Sequence, residues 1–518
     1  MRWKASLAEV RRYDELERFG PMPLNTASMQ RAEAYPGATS SDPAPANGVA
    51  LLERLALALE SASVPYCQWK GHSTAHGWMA GWGDVDLLVG REARPVFLRI
   101  AGELGFKFGL LPGTRQLPGV ESFFGFDPAV PRLLHLHVHY QLVLGEYWRT
   151  SYHLPVEPEM LATAVRGELF PVPAPTYQFL IFVLRMVLLQ RGRLLLRTGD
   201  RWRRGLQIPL DNLEALYDRK EMAALLHTHL PTIDLRFLDR CVASLQGKHG
   251  VLGRILLKYL LQRRLWHCSR RPSVAALLNS ATEKVAPLSL GRRIADERVR
   301  FPGGGTVVAL VGGVGAGKST CARELDLWLS TDFATMRARL GNPPRTLLTM
   351  VVGGVLKAQS AMNRLLGWTP TATSRVEMLR HLCTARDRYR LYTKVQRFTA
   401  RGGIAICERY PISELPAHVG LRIPAFLPAT PPRFSRFLQS AEARYYECMR
   451  RPDLLFVLRL DPEIAVARKS DEPADYLRDR GRMIWKTDWS KSGAQVLDAG
   501  RTLVDVLDDL KGRVWHSL

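Results

Sequence analysis

Three groups of residues have the types and spacing for chemistry. Gly312, Gly317, Lys318 and Ser319 satisfy G-x-x-x-x-G-K-[ST], the spacing of a phosphate-binding P-loop. Over Gly312, Gly313, Val314, Gly315, Ala316 and Gly317, backbone N–H groups can converge on a β-phosphate, because the glycines carry no Cβ to block the approach. A helix starting at Lys318 would point its positive end at the same anion. Lys318, exposed for its ligand, would reach the β- and γ-phosphates. Ser319 would ligate Mg²⁺, and Thr320 completes the ATP-binding stretch.

The second group is Glu408-Arg409-Tyr410, at the end of the apolar run Ile404 to Cys407. A carboxylate and an arginine at the C-terminal tip of a parallel strand sit where α/β sheets bind ligands. Glu408 suits a Mg²⁺ ligand, or a proton acceptor for a substrate hydroxyl, and Arg409 suits a clamp on an anionic substrate. The third group is Asp84 and Asp86, which face the same way on a strand and could hold metal ions against a nucleoside triphosphate. His135, His137 and His139 alternate on a later strand and either complete a metal site or line a half-exposed strand face.

Further arginines extend the second half. Arg386 follows Leu379, Leu382 and Cys383 on one helical face, with Arg388 on the other. Aimed at a sheet, Arg386 needs an anion, either a ligand or a core acid. Arg468 ends a helix after Asp461-Pro462-Glu463, and Arg478, Arg480 and Arg482 follow. They form either a mobile basic segment that closes over ATP or a solvated charged helix.

These residues need elements to hold them. Thr306 to Val311 is apolar and β-branched, the pattern of a buried parallel strand. Residues 306–518 then alternate strands and helices, which predicts an α/β parallel sheet with flanking helices. Residues 49–150 predict an α+β domain: a helix over Leu51 to Leu59, short strands at Tyr66 to Trp69 and Val85 to Val89, and an alternating strand over Leu133 to Leu144. Residues 151–290 read as a helical region and 291–305 as a linker. Residues 1–48, ending in a small, proline-rich run, read as a disordered lead-in.

Composition narrows the class. A chain of 518 residues exceeds one ordinary core, so more than one domain is expected. The net charge of +23 is arginine-dominated, but no long Lys/Arg block occurs, so a solvated surface is favoured over a nucleic-acid partner. The seven cysteines are scattered with no C-x-x-C, which argues against a zinc site or a disulfide framework and fits a cytoplasmic protein. The most apolar windows, Phe179 to Leu189 and Leu347 to Leu356, are broken by Arg185 and by Gly353 and Gly354, so no transmembrane segment is expected. A homodimer stays open.

The second half resembles the thymidylate kinase-like branch of P-loop kinases. The resemblance rests on VGGVGAGKST, the helix with Arg386, GGIAICERY, RPDLLFVLRLDPEIAVARK and the arginine-bearing stretch after it, over nearly all of 306–518. It implies a five-stranded parallel core and ATP–Mg²⁺ phosphoryl transfer to a nucleotide, nucleoside or other small acceptor. It assigns Lys318 as the phosphate lysine, Glu408-Arg409 as the acidic-Arg-aromatic motif and Arg468 as the lid arginine. The chain departs from the family at Val314 and Glu408, where Asp is usual, and over Arg337 to Trp368, which does not match the thymidine-binding region. Residues 50–150 resemble the polymerase-β-type nucleotidyltransferase fold through Gly71-His72-Ser73 and Asp84-x-Asp86, without a third carboxylate. The expectation is an ATP-dependent kinase. Its rivals are an ATP-gated binding module without turnover, and nucleotidyl transfer at Asp84 and Asp86.

Overall fold

The computed structural model describes residues 50–70, 84–111, 117–130, 132–146, 150–189, 207, 209–270, 298–365, 375–415, 420–427, 431–469 and 471–518. The expected lead-in and the Gly71-His72-Ser73 turn lie outside them. The chain divides into two units, Met1–Ala295 and Asp296–Leu518.

The first unit is built on a five-stranded mixed sheet of β1 (Tyr66–Lys70), β2 (Asp84–Val89), β3 (Lys107–Gly109), β4 (Val120–Gly125) and β5 (Leu134–His139), in the order β1-β2-β5-β4-β3. Only β2 and β5 pair in parallel. The alternation in β5 explains its placement. Leu134, Leu136 and Val138 face a core made by helices α1 (Ala50–Ser61) and α2 (Arg94–Glu103), through Leu51, Leu52, Leu55, Phe97 and Ile100. The histidines face the other way.

The opposite core joins Cys67, Trp69 and Leu88 to the hairpin β6 (Val143–Glu146)–β7 (Thr150–His153) and to the helices beyond it. Chief among these is α3 (Pro175–Leu189), whose apolar run is almost wholly buried. The helices expected as a separate region over 151–290 therefore share a core with the sheet, and the hairpin straddles the expected boundary at 150. The apolar window read from sequence is a core helix. Among the described residues, no helix is long and apolar enough to cross a membrane. All seven cysteines are free, six of them buried.

The second unit is an α/β fold on a parallel sheet. Five parallel strands lie in the order β12-β11-β8-β10-β9: β8 (Val307–Gly312), β9 (Thr335–Arg339), β10 (Ile404–Glu408), β11 (Leu454–Arg459) and β12 (Gln495–Asp498). β8 is central and wholly buried, as its unbroken apolar run requires. Chain order reverses on either side of it, and the crevice at such a switch point is where open α/β sheets take ligands. Residues 298–305 belong to this unit rather than to a linker. Val299 pairs with Phe333, Phe301 N donates to Gly402 O at 2.9 Å, and Gly305 N donates to Thr399 O at 2.7 Å.

Two helices frame the crevice: α4 (Leu347–Leu365) and α5 (Arg375–Thr399). Gly353 and Gly354 do not break α4, and a Cβ on either would meet nothing within 4 Å. The helix leaves Leu347, Val351 and Met362 exposed. Its first turn is held by Asp387 of α5. That buried carboxylate accepts from Thr346 N at 3.0 Å, Thr346 Oγ1 at 2.9 Å and Thr349 Oγ1 at 2.6 Å.

Candidate functional site

The loop after β8 has the shape its sequence asks for. A Cβ on Gly312 would lie 2.5 Å from Leu458 O, so β8 and β11 could not approach as they do. Gly317 takes φ 81° at the N-cap of α6 (Lys318–Leu329), where a side chain would be strained. The loop thereby ends on a helix whose first turn aims its N–H groups outward. Lys318 departs from expectation, since it is buried and its ammonium donates to the Gly313 carbonyl. Burial, followed by the charge of Arg409, pushes its pKa down to about 8.

Ser319 and Glu408 meet, as their shared expectation as metal ligands requires. Ser319 Oγ donates to Glu408 Oε2 at 2.5 Å. Glu408 is buried, and its other oxygen accepts from Arg339 Nε at 3.2 Å. Sequence reasoning missed Arg339. The signal was present in the Met336 and Ala338 alternation of β9, whose last residue lies in register with Glu408.

Arg409 follows in a left-handed backbone, φ 54°. For a residue with a side chain this costs about 1–2 kcal/mol. Its guanidinium is exposed and has no hydrogen-bond or ion-pair partner among the described residues. Strained, exposed positions of this kind cluster at functional sites, and this one follows directly on the tip of β10. Arg409→Gly is therefore expected to stabilise the protein by about 1 kcal/mol while removing most nucleotide turnover. Paired thermal melts and product assays check both signs.

A cavity of about 250 Å³ opens beside this cluster, lined by Gly341, Asn342, Arg345, Arg380, Arg388 and Arg422 among others. It abuts Arg409, since a Cβ on Gly341 would lie 2.7 Å from Arg409 Cδ. Arg388, expected on the outer face, is the buried arginine of α5. It donates to Leu340 O at 2.6 Å and to the Tyr446 hydroxyl. Burial, followed by Arg380, pushes His381 in the same wall down to about 4, so it is a neutral imidazole at neutral pH.

Arg386 instead donates to Thr346 Oγ1 at 2.7 Å and lies 3.4 Å from Asp387, the core-acid alternative. The arginine meets this core acid rather than the sheet because α5 changes partners along its length. Met378, with Leu379 and Leu382, packs on Ile423 and Leu438, whereas Tyr392 and Val395 face the sheet. A stripe extended from the first half points the wrong way in the second.

Arg468 donates to Ala499 O at 3.1 Å, not to the phosphate loop. Arg478 pairs with Glu463 at 2.8 Å, Arg480 lies over the Tyr476 ring, and Arg482 stands 3.9 Å from Asp479. The paired arginines read as a charged helical surface.

In the first unit, β2 and β5 align Asp84 with His135 and Asp86 with His137. His135 Nδ1 is 2.8 Å from Asp84 Oδ1, and Lys70 Nζ is 2.8 Å from Asp86 Oδ1. His137 Nδ1 and His139 Nε2 each stand 3.6 Å from Asp86 Oδ1. His139 is fully buried rather than part of a half-exposed face. The strand beside the two acids thus offers imidazoles and no carboxylate.

No family model matches the chain. Two curated relatives, both named uncharacterized ATP-binding protein YghR, come from Escherichia coli K12 and Escherichia coli O6:H1. Each is 26% identical over 220 residues, covering 40% of this chain and 86% of the relative. A solved thymidylate kinase from Candida albicans covers 41% of this chain and 91% of its own at 18% identity, with a TM-score of 0.27.

Proposed function

We propose that the 296–518 unit binds ATP with Mg²⁺ and transfers a phosphoryl group to a small anionic acceptor seated in the arginine-lined cavity. The observation that carries this reading is adjacency. Arg409 borders the phosphate loop on one side, through its charge on Lys318, and Gly341 of the cavity on the other. One exposed guanidinium thus lies between the two sites that a transfer reaction must join. The curated relatives' name, ATP-binding, and the resemblance to thymidylate kinase-like enzymes support the nucleotide half. Arg345, Arg380, Arg388 and Arg422 outnumber Asp387 and Glu442 in the cavity wall, which supports an acceptor carrying phosphate or carboxylate.

In this reading the backbone of Gly312 to Gly317 cradles the β-phosphate, and Lys318 leaves the Gly313 carbonyl to meet the γ-phosphate. Ser319 and Glu408 present hard oxygens 2.5 Å apart, a donor pair that suits Mg²⁺. When bound, Mg²⁺ would offset charge on the phosphate oxygens. Arg339 holds Glu408 through its other oxygen, which favours a metal-side role over that of a free proton acceptor. Arg409 neutralises charge between donor and acceptor.

The test is ADP release from the full chain against a panel of phosphorylated and carboxylated small molecules, run beside Glu408→Gln. A single acceptor class that stimulates release, with a loss of about 100- to 1000-fold in the variant, is the expected result. ATP binding with no stimulation across the panel would instead leave a nucleotide-gated binding module.

A further inference from the structure

We infer that the first unit holds one divalent transition-metal ion of the zinc class between Asp86, His137 and His139, rather than magnesium on Asp84 and Asp86. The inference is independent of the kinase reading.

Spacing is the first argument. Two ligands each about 2.1 Å from a tetrahedral ion stand about 3.4 Å apart. Asp86 Oδ1 lies 3.6 Å from both His137 Nδ1 and His139 Nε2. That is too long for a hydrogen bond and close to the separation of ligands around one ion. All three atoms lie within 4.8 Å of one another. No two of the ligand residues are sequence neighbours, so the backbones of β2 and β5, rather than a flexible loop, set the spacing.

The second argument is a group left unsatisfied. His139 is 0% exposed, and among the described residues neither of its ring nitrogens has a hydrogen-bond partner. A buried imidazole normally uses at least one nitrogen. Trp69 packs against this ring at 5.0 Å, which fixes its plane and leaves Nε2 aimed at Asp86. Metal coordination is the bond this nitrogen can still make.

The donor set then selects the ion. Two imidazoles and one carboxylate suit zinc, cobalt or nickel, whereas magnesium prefers oxygen ligands and keeps its waters. Asp84 fills the supporting role. Its Oδ1 bonds His135 at 2.8 Å, while Oδ2 stands 3.9 Å from His137 Nδ1, near enough to serve as a fourth ligand or to orient a water there. Lys70 now pairs with Asp86 and must yield that oxygen. Its side chain is 17% exposed, so it can swing toward solvent.

Cobalt titration of the chelator-treated full chain tests this, followed by visible absorption, with His137→Gln and Asp86→Asn as variants. The expected result is one saturable Co²⁺ per chain with a tetrahedral visible spectrum, displaced by Zn²⁺ but not by millimolar Mg²⁺. Both variants should weaken binding more than about 100-fold. His137 is partly exposed, so His137→Gln should fold normally, and its metal-free melting temperature checks this. No saturable cobalt binding, displacement by Mg²⁺, or unchanged affinity in a folded His137→Gln protein would each overturn the assignment.

Discussion

Replacing Lys318 by methionine will raise the melting temperature of the nucleotide-free protein at pH 7 and erase its response to Mg²⁺-ATP. The two effects have one cause. Among the described residues the buried Lys318 ammonium donates to a backbone carbonyl alone; Arg409 adds a like charge nearby, only partly offset by Glu408. Its pKa falls from 10.5 to about 8. At about 1.4 kcal/mol per pKa unit, holding that charge costs the empty fold on the order of 3 kcal/mol at pH 7. Methionine keeps an unbranched chain one atom shorter and removes the charge.

The sign with pH follows. Between about 8 and 10.5 the unfolded chain keeps a proton that the folded protein releases. Wild-type stability should therefore rise with pH across that window, and the variant should lose this rise. With ATP present the gap between the two proteins nearly closes, because a triphosphate supplies the missing anion. At a hundredfold excess over Kd, wild type gains about 2.7 kcal/mol and the variant almost nothing. Thermal melts at pH 7 and pH 9.5, with and without Mg²⁺-ATP, read out both effects. A variant that melts below wild type at pH 7, or that keeps the nucleotide shift, would sink the account.

Asp387→Ala should destabilise the protein by about 3 kcal/mol. The loss arises because Thr346 N, Thr346 Oγ1 and Thr349 Oγ1 all donate to this one buried carboxylate. Burial opposes its ionisation, but the bonds from Thr349 and Thr346, with Arg386, outweigh that and hold its pKa below 3.8. Its contribution is therefore present above the unfolded value and lost as pH falls through the folded one. Urea unfolding at pH 7 should show the full difference, and the gap between the proteins should narrow below pH 3.8. An equal gap at both pH values would mean that packing, not the carboxylate, holds the helix.

The phosphate loop was legible because its chemistry is local. Six backbone N–H groups, a lysine and a hydroxyl must be consecutive to meet one anion, so spacing alone carries the signal. Glu408-Arg409 was legible for a similar reason, as a strand tip in an α/β sheet. The cavity was not, because its arginines come from segments far apart in sequence, and only the packing of α5 decides which arginine turns inward. Arg386 looked right from its neighbours, yet Arg388 lines the cavity. In the first unit, the alternation of β5 identified the three histidines. Their alignment with Asp84 and Asp86 depends on a parallel pairing that no sequence pattern fixes.

The paired glycines of α4 bear on how selective the cavity can be. Each costs a helix about 1 kcal/mol relative to alanine, and a Cβ at either would meet nothing within 4 Å, so no close approach requires glycine there. Asp387 holds the first turn, ahead of the two glycines, and most of the helix beyond Val352 is exposed, so that part of α4 should open locally before the unit unfolds. Its amides would then exchange with deuterium faster than those of α5. The cavity meets α4 at Thr349, inside the anchored turn, so an acceptor would be read against a fixed wall while the loosened remainder of the helix lies outside its contact.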